Sequence, residues 1–125
     1  MAGQITITAG SITMLGELND SPTAVAIQSA LPLEATARTW GDEIYFPIPV
    51  EQKLDHTAAE VVDVGDLGYW PSGRAFCIFF GPTPASRGEE IRPASAVNVI
   101  GKLTGDAKQF KAVGDGELVR IENVS

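Results

Sequence analysis

Cysteine, histidine and basic side chains are all scarce in this sequence, and each shortage removes a class of function. Cys77 is the only cysteine and His56 the only histidine, so neither a disulfide framework nor a thiolate- or His-rich metal site is expected. A single thiol inside an apolar run suits a reducing cytoplasm. Nine Lys and Arg stand against sixteen Asp and Glu, a net charge of -7 without a basic cluster. That balance disfavours phosphate backbones and anionic lipid, so no nucleic-acid and no membrane partner is expected. No apolar stretch approaches the roughly 18 residues of a membrane-spanning helix, and MAGQITITAG at the start has neither part of a secretion signal. Repeats and low-complexity tracts are absent as well. What remains is a length suited to one domain over residues 1–125, with an apolar fraction of 44% that is enough for one core.

The apolar residues fall mostly in alternation, the period of a half-buried strand. QITIT (residues 4–8) alternates Ile5 and Ile7 with threonines, and Ile12, Met14, Gly16 and Leu18 share one face of the next run, so the two predict a hairpin around Ala-Gly-Ser. In NDSPTAVAIQSALP, Ser21 suits a helix cap, Pro22 the first helical position and Pro32 the stop. LEATARTW (33–40) alternates again, and Gly41-Asp42 turns the chain into EIYFPIPV. There Ile44, Phe46, Ile48 and Val50 share a face, while Pro47 and Pro49 lack ladder donors, which predicts an edge strand or an exit from the sheet near Pro47. Residues 51–60 read as a polar surface loop with at most a helical turn, and EVVDVG as a short strand. AVNVIGKL and ELVRIEN read as strands, with a short helix from an Asp106 cap through Ala112 between them.

About eight strands and two short helices predict a mainly β protein, a closed or nearly closed β-barrel capped by the helices, with a sandwich as the alternative. In the strand over 75–80, Phe76, Ile78 and Phe80 fill one face while Ala75, Cys77 and Phe79 keep the other apolar. A barrel with a covered outer face accounts for both.

Several motif readings fail on spacing. No G-x-S-x-G elbow accompanies His56, which sits in a polar loop. GKLTGD lacks the glycine and the hydroxyl of a phosphate loop, because Ala96 and Leu103 occupy those places. Asp63 and Asp66 are too few for a calcium loop. No cofactor is expected.

The words WGDEIYFPIP (40–49), GDLGYWPSG (65–73), FCIFFGPTP (76–84) and VNVIGKLTGD (97–106), with the helix opening NDSPTA, resemble a family of small, mostly uncharacterised prokaryotic cyclophilin-like proteins. The resemblance runs over almost the full chain. It implies the cyclophilin-like fold, an eight-stranded barrel with two capping helices, and so agrees with the element count above. It does not carry an activity with it, because fold and function part company within such families. Cyclophilins are peptidyl-prolyl isomerases, which need an apolar slot for the proline ring and a donor, an arginine, that favours the twisted amide. Arg38 and Arg74 are the arginines that suit that place. However, the arginine-bearing strand followed by Phe and Gln, and the late Trp-Leu-Asp-Gly-Lys-His segment, are both missing, so no catalytic residue carries over.

The chemistry that remains is an aromatic groove. Trp40, Glu43, Tyr45, Trp70, Arg74, Phe80 and Thr83 cluster near predicted strand ends, the aromatics for apolar contact and the polar groups to orient a ligand. Glu43 reads first as a solvated strand residue, and in a groove as the carboxylate between aromatics on the side of Tyr45. The expected function is a non-catalytic binding module for a small molecule or a proline-containing peptide. The alternatives are a divergent peptidyl-prolyl isomerase and a self-associating protein, a homodimer through an edge strand after Phe46.

Overall fold

The computed structural model describes residues 3–124. Strands β1 (Gly3–Ala9) and β2 (Ile12–Leu18) form the opening hairpin, and Ile5, Ile7, Ala9, Met14 and Leu18 all turn into the core, as their alternation requires. Helix α1 (Pro22–Ala30) begins where the Ser21 hydroxyl accepts the Ala24 N–H at 3.2 Å. It ends at Leu31, whose extended backbone (φ -72, ψ 148) is the conformation imposed before Pro32. The remaining strands are β3 (Leu33–Thr36), β4 (Arg38–Thr39), β5 (Glu43–Pro47), β6 (Ala58–Ala59), β7 (Asp66–Trp70), β8 (Ala75–Phe79), β9 (Val97–Leu103) and β10 (Leu118–Asn123). Pro71–Gly73 and Ala107–Ala112 are 3-10 turns, the second capped by Asp106 as the sequence predicts.

One antiparallel sheet runs β3-β10-β1-β2-β9-β7-β8-β5-β4, with β6 added against β9. Its two ends are halves of one extended stretch: β3 and β4 are separated by Ala37 alone. The sheet therefore curls until both ends meet at that residue, giving a mainly β, nearly closed barrel. Ala37 is buried, donates its N–H to the Glu117 carbonyl at 2.8 Å and accepts from the Gly116 N–H at 2.9 Å.

Three expected elements come out differently. The run 33–40 is not one strand, because closure requires its halves to pair with β10 and with β5. The strand expected over EVVDVG does not form: Val62 makes only an isolated bridge to Ile91. The Asp66 carboxylate instead accepts the Asp63 N–H at 2.8 Å and Gly65 takes a positive φ of 91, a turn that delivers the chain into β7. Residues 51–60, expected as a surface loop, contribute the short strand β6 against β9. Of the two outcomes expected at Pro47 the exit from the sheet is the one that forms, since β5 has β8 on one side and β4 on the other and ends there.

The apolar residues divide between two cores. Inside the barrel are Phe46, Phe76, Ile78 and Phe80, with Phe46 and Phe76 stacked at 5.4 Å. On the outer face Ala75, Cys77 and Phe79 pack under Val62, Ile91 and Val97. Both faces of β8 are thus apolar and covered, as the sequence of that strand predicts. Among the described residues no helix is long and apolar enough to cross a membrane.

Candidate functional site

Along β5 the side chains alternate: Ile44 and Phe46 enter the inner core, so Glu43 and Tyr45 stand on the outer face. The turn before β5 brings Trp40 to the same place. The Trp40 N–H donates to the Glu43 carbonyl at 3.0 Å, and Gly41 between them takes a φ of 62 that few other residues adopt. A Cβ at Gly41 would also lie 2.8 Å from Pro84 Cδ, so glycine alone lets this turn nest against the GPTP loop. From the other side β7 ends in Trp70, which lies beyond β8 in the sheet.

These residues form a half-open cavity of about 220 Å³ lined by Trp40, Glu43, Tyr45 and Trp70, with Pro93, Ala94 and Val97 as the opposite wall. Trp70 is held from two directions. Its indole N–H donates to Ser95 Oγ at 2.6 Å, and its benzo ring lies against Gly73, where a Cβ would approach to 2.7 Å. Gly73→Ala is therefore expected to push the indole out of place and break the Ser95 bond while leaving the barrel intact. Displacement of the Trp70 indole N–H resonance checks this, and an unmoved resonance contradicts it.

Glu43 is the unusual member. Its residue is 6% exposed, its Oε1 is buried without a hydrogen-bond partner, and no Lys, Arg or His lines the cavity to neutralise it. Burial pushes its carboxyl up from 4.5 to about 7, against a smaller opposing pull from the Cys77 thiol. Cys77 is raised well above its ordinary value in turn, by burial first and the Glu43 charge second. The first expectation for Glu43, a solvated strand residue, is thus corrected: Glu43 is buried, and across the cavity from it stand Pro93, Ala94 and Val97.

Four of the seven expected groove residues, Trp40, Glu43, Tyr45 and Trp70, share this cavity; the other three lie elsewhere. Arg74 is mostly exposed beyond the 3-10 turn, 4.0 Å from Glu51. Phe80 faces inward onto Phe110. Thr83 is buried, donates from Oγ1 to the Arg92 carbonyl and so fastens the segment that carries Pro93. Arg38 stands opposite Tyr45 on β4 but is not part of the lining. The far wall, Pro93, Ala94 and Val97, was not legible as such, because nothing local to it distinguishes a lining segment from a turn. His56 is exposed, and among the described residues no group of three His, Cys, Asp or Glu is placed to hold a metal.

One solved structure similar to this chain is that of a hypothetical protein from Archaeoglobus fulgidus, determined in solution. It is 42% identical, superposes with a TM-score of 0.83, and the match covers 98% of this chain and 95% of that one. No curated protein matches. The cyclophilin-like family matches residues 3–122, nearly the whole barrel described above, and the chain belongs to that family.

Proposed function

We propose that the chain is a binding module that holds a small ligand in the outer-face cavity between Trp40, Tyr45 and Trp70. The observation that carries the reading is the unpartnered Glu43 Oε1 beside an aromatic-walled cavity. A buried polar atom without a partner costs about 1–3 kcal/mol, and a ligand offering a donor supplies the missing interaction. The volume, below the usual range for ligand sites, suits a very small molecule or one chemical group of a larger one. A single buried free thiol agrees with a cytoplasmic setting.

Both tryptophans of the chain line the cavity, so their signals report on this site alone. A panel of small amines, alcohols and amides, titrated against the two indole N–H resonances, is expected to yield at least one fragment that shifts both saturably. A panel that leaves both unmoved, whether or not it perturbs other residues, overturns the reading.

Isomerase activity is not supported by the lining. Catalysis of amide rotation calls for a donor aimed at the twisted amide, whereas the cavity presents a carboxyl and no arginine. In a protease-coupled assay on an Ala-Pro peptide, micromolar protein is expected to give no acceleration while a working cyclophilin alongside does. Acceleration abolished by Tyr45→Ala would replace the binding-module reading with the enzymatic one.

A further inference from the structure

Resting on the cavity reading above, we infer that the ligand is an organic cation, an ammonium head group seated among Trp40, Tyr45 and Trp70 with the Glu43 carboxylate as its counter-ion. Three aromatic side chains line one small space, and the negative faces of aromatic rings attract ammonium groups, most strongly where water is excluded. The indole N–H of Trp70 is already given to Ser95, so this residue offers the ligand its ring and not a donor. Pro93, Ala94 and Val97 add only apolar surface. Glu43 is the one carboxyl in the lining, and among the described residues no Lys, Arg or His lines the cavity to pair with it. An ionised carboxylate in such a place gains strongly from a counter-charge that arrives with the ligand.

Other charges are less suited. An inorganic divalent ion takes six or more oxygen ligands, and one carboxylate among aromatics does not provide them. An anion meets the unpaired carboxyl and a chain of net charge -7, both of which repel it. The same net charge draws cations toward the surface.

Ionisation of Glu43 gives the inference a pH signature. The groups facing it are the Cys77 thiol from β8 and the Tyr45 phenol on its own strand; Trp40, Trp70 and the wall residues Pro93, Ala94 and Val97 do not titrate. Asp42, in the adjoining turn, pairs with Lys111 at 3.8 Å. Since the carboxyl is protonated below about 7 in the free protein, cation binding must displace that proton as pH falls.

The test uses choline and its neutral isostere 3,3-dimethylbutan-1-ol, each titrated by tryptophan fluorescence at low salt. At pH 8 choline is expected to bind at least about tenfold more tightly than the alcohol. Between pH 8 and pH 5 its affinity is expected to fall by up to about a hundredfold, while that of the alcohol stays level. Glu43→Gln, close to the native side chain in shape, is expected to abolish both the preference and the pH dependence. Choline that binds no better than the alcohol, or not at all, overturns the inference. The cavity reading then stands or falls separately, on whether any neutral member of the fragment panel shifts the two indoles.

Discussion

Glu43→Gln is expected to remove a loss of stability that the wild-type protein suffers between about pH 4.5 and pH 7. The sign follows from proton linkage. The folded-state carboxyl titrates near 7 and the unfolded one near 4.5, so across that interval the folded protein binds the extra proton. Stability from the neutral carboxyl is fully present below pH 4.5 and is lost as pH rises through 7. At about 1.4 kcal/mol per pKa unit the whole effect amounts to about 3 kcal/mol. Asp66 is also raised by burial and adds a slope of the same sign, but both proteins share it, so it cancels in the difference. Asp55 and Asp115 are lowered and act on the acid side of their ordinary value of 3.8, outside this window. Denaturant unfolding at pH 4, 5, 6, 7 and 8 checks the result. Parallel profiles for wild type and variant would show that Glu43 is solvated and that the cavity has no buried charge to place.

The second large effect lies away from the cavity, at the polar junction beneath α1. Asn98 is fully buried on β9, and its side chain accepts the Asp55 N–H at 2.8 Å and donates to Thr23 Oγ1 at 2.8 Å and the Lys53 carbonyl at 2.9 Å. Asp55 in turn accepts from Thr23 Oγ1 at 2.9 Å and from the N–H and hydroxyl of Thr57 at 2.8 and 2.6 Å. One amide thereby ties the helix and the irregular 51–57 segment to the sheet. Asn98→Ala strips partners from the buried Thr23 hydroxyl and from two part-buried backbone groups at once, at up to about 1–3 kcal/mol each. The expected loss is about 3 kcal/mol or more, a drop in Tm on the order of 10 °C. Thr13→Ala, which removes only an exposed 3.5 Å contact to Thr8, is expected to stay within about 0.5 kcal/mol. Similar Tm values for the two variants would contradict the account of the junction.

What the sequence reveals and what it conceals divide along the range of the interactions. The β1–β2 hairpin, the Ser21 cap, the Asp106 cap and the two-faced β8 are all written in residues a few positions apart, and each forms as expected. Strand β7 is hidden because it contains Asp66 and Gly68, both poor strand formers, and is specified by its neighbours β8 and β9 instead. The break at Ala37 is a consequence of closing the barrel, which no local pattern encodes. Trp40, Glu43, Tyr45 and Trp70 are legible as a group because strand alternation and two turns put them on one side. The burial of Glu43 is not legible, since the cavity it lines is completed by Pro93, Ala94 and Val97 from far along the chain. Thr83 illustrates the opposite error: a hydroxyl in a stiff loop beside aromatics looks like a ligand contact, and its bond is to the Arg92 carbonyl.

The account turns on a carboxyl that stays neutral up to about pH 7 in the empty cavity and is charged at lower pH when a cation fills it. Titrating the side-chain carboxyl carbon of Glu43 by NMR between pH 3 and pH 9, with and without saturating choline, tests that directly. The account predicts a midpoint near 7 in the free protein and a displacement toward acid pH on binding. A free-protein midpoint at the ordinary 4.5, unmoved by choline, would contradict it.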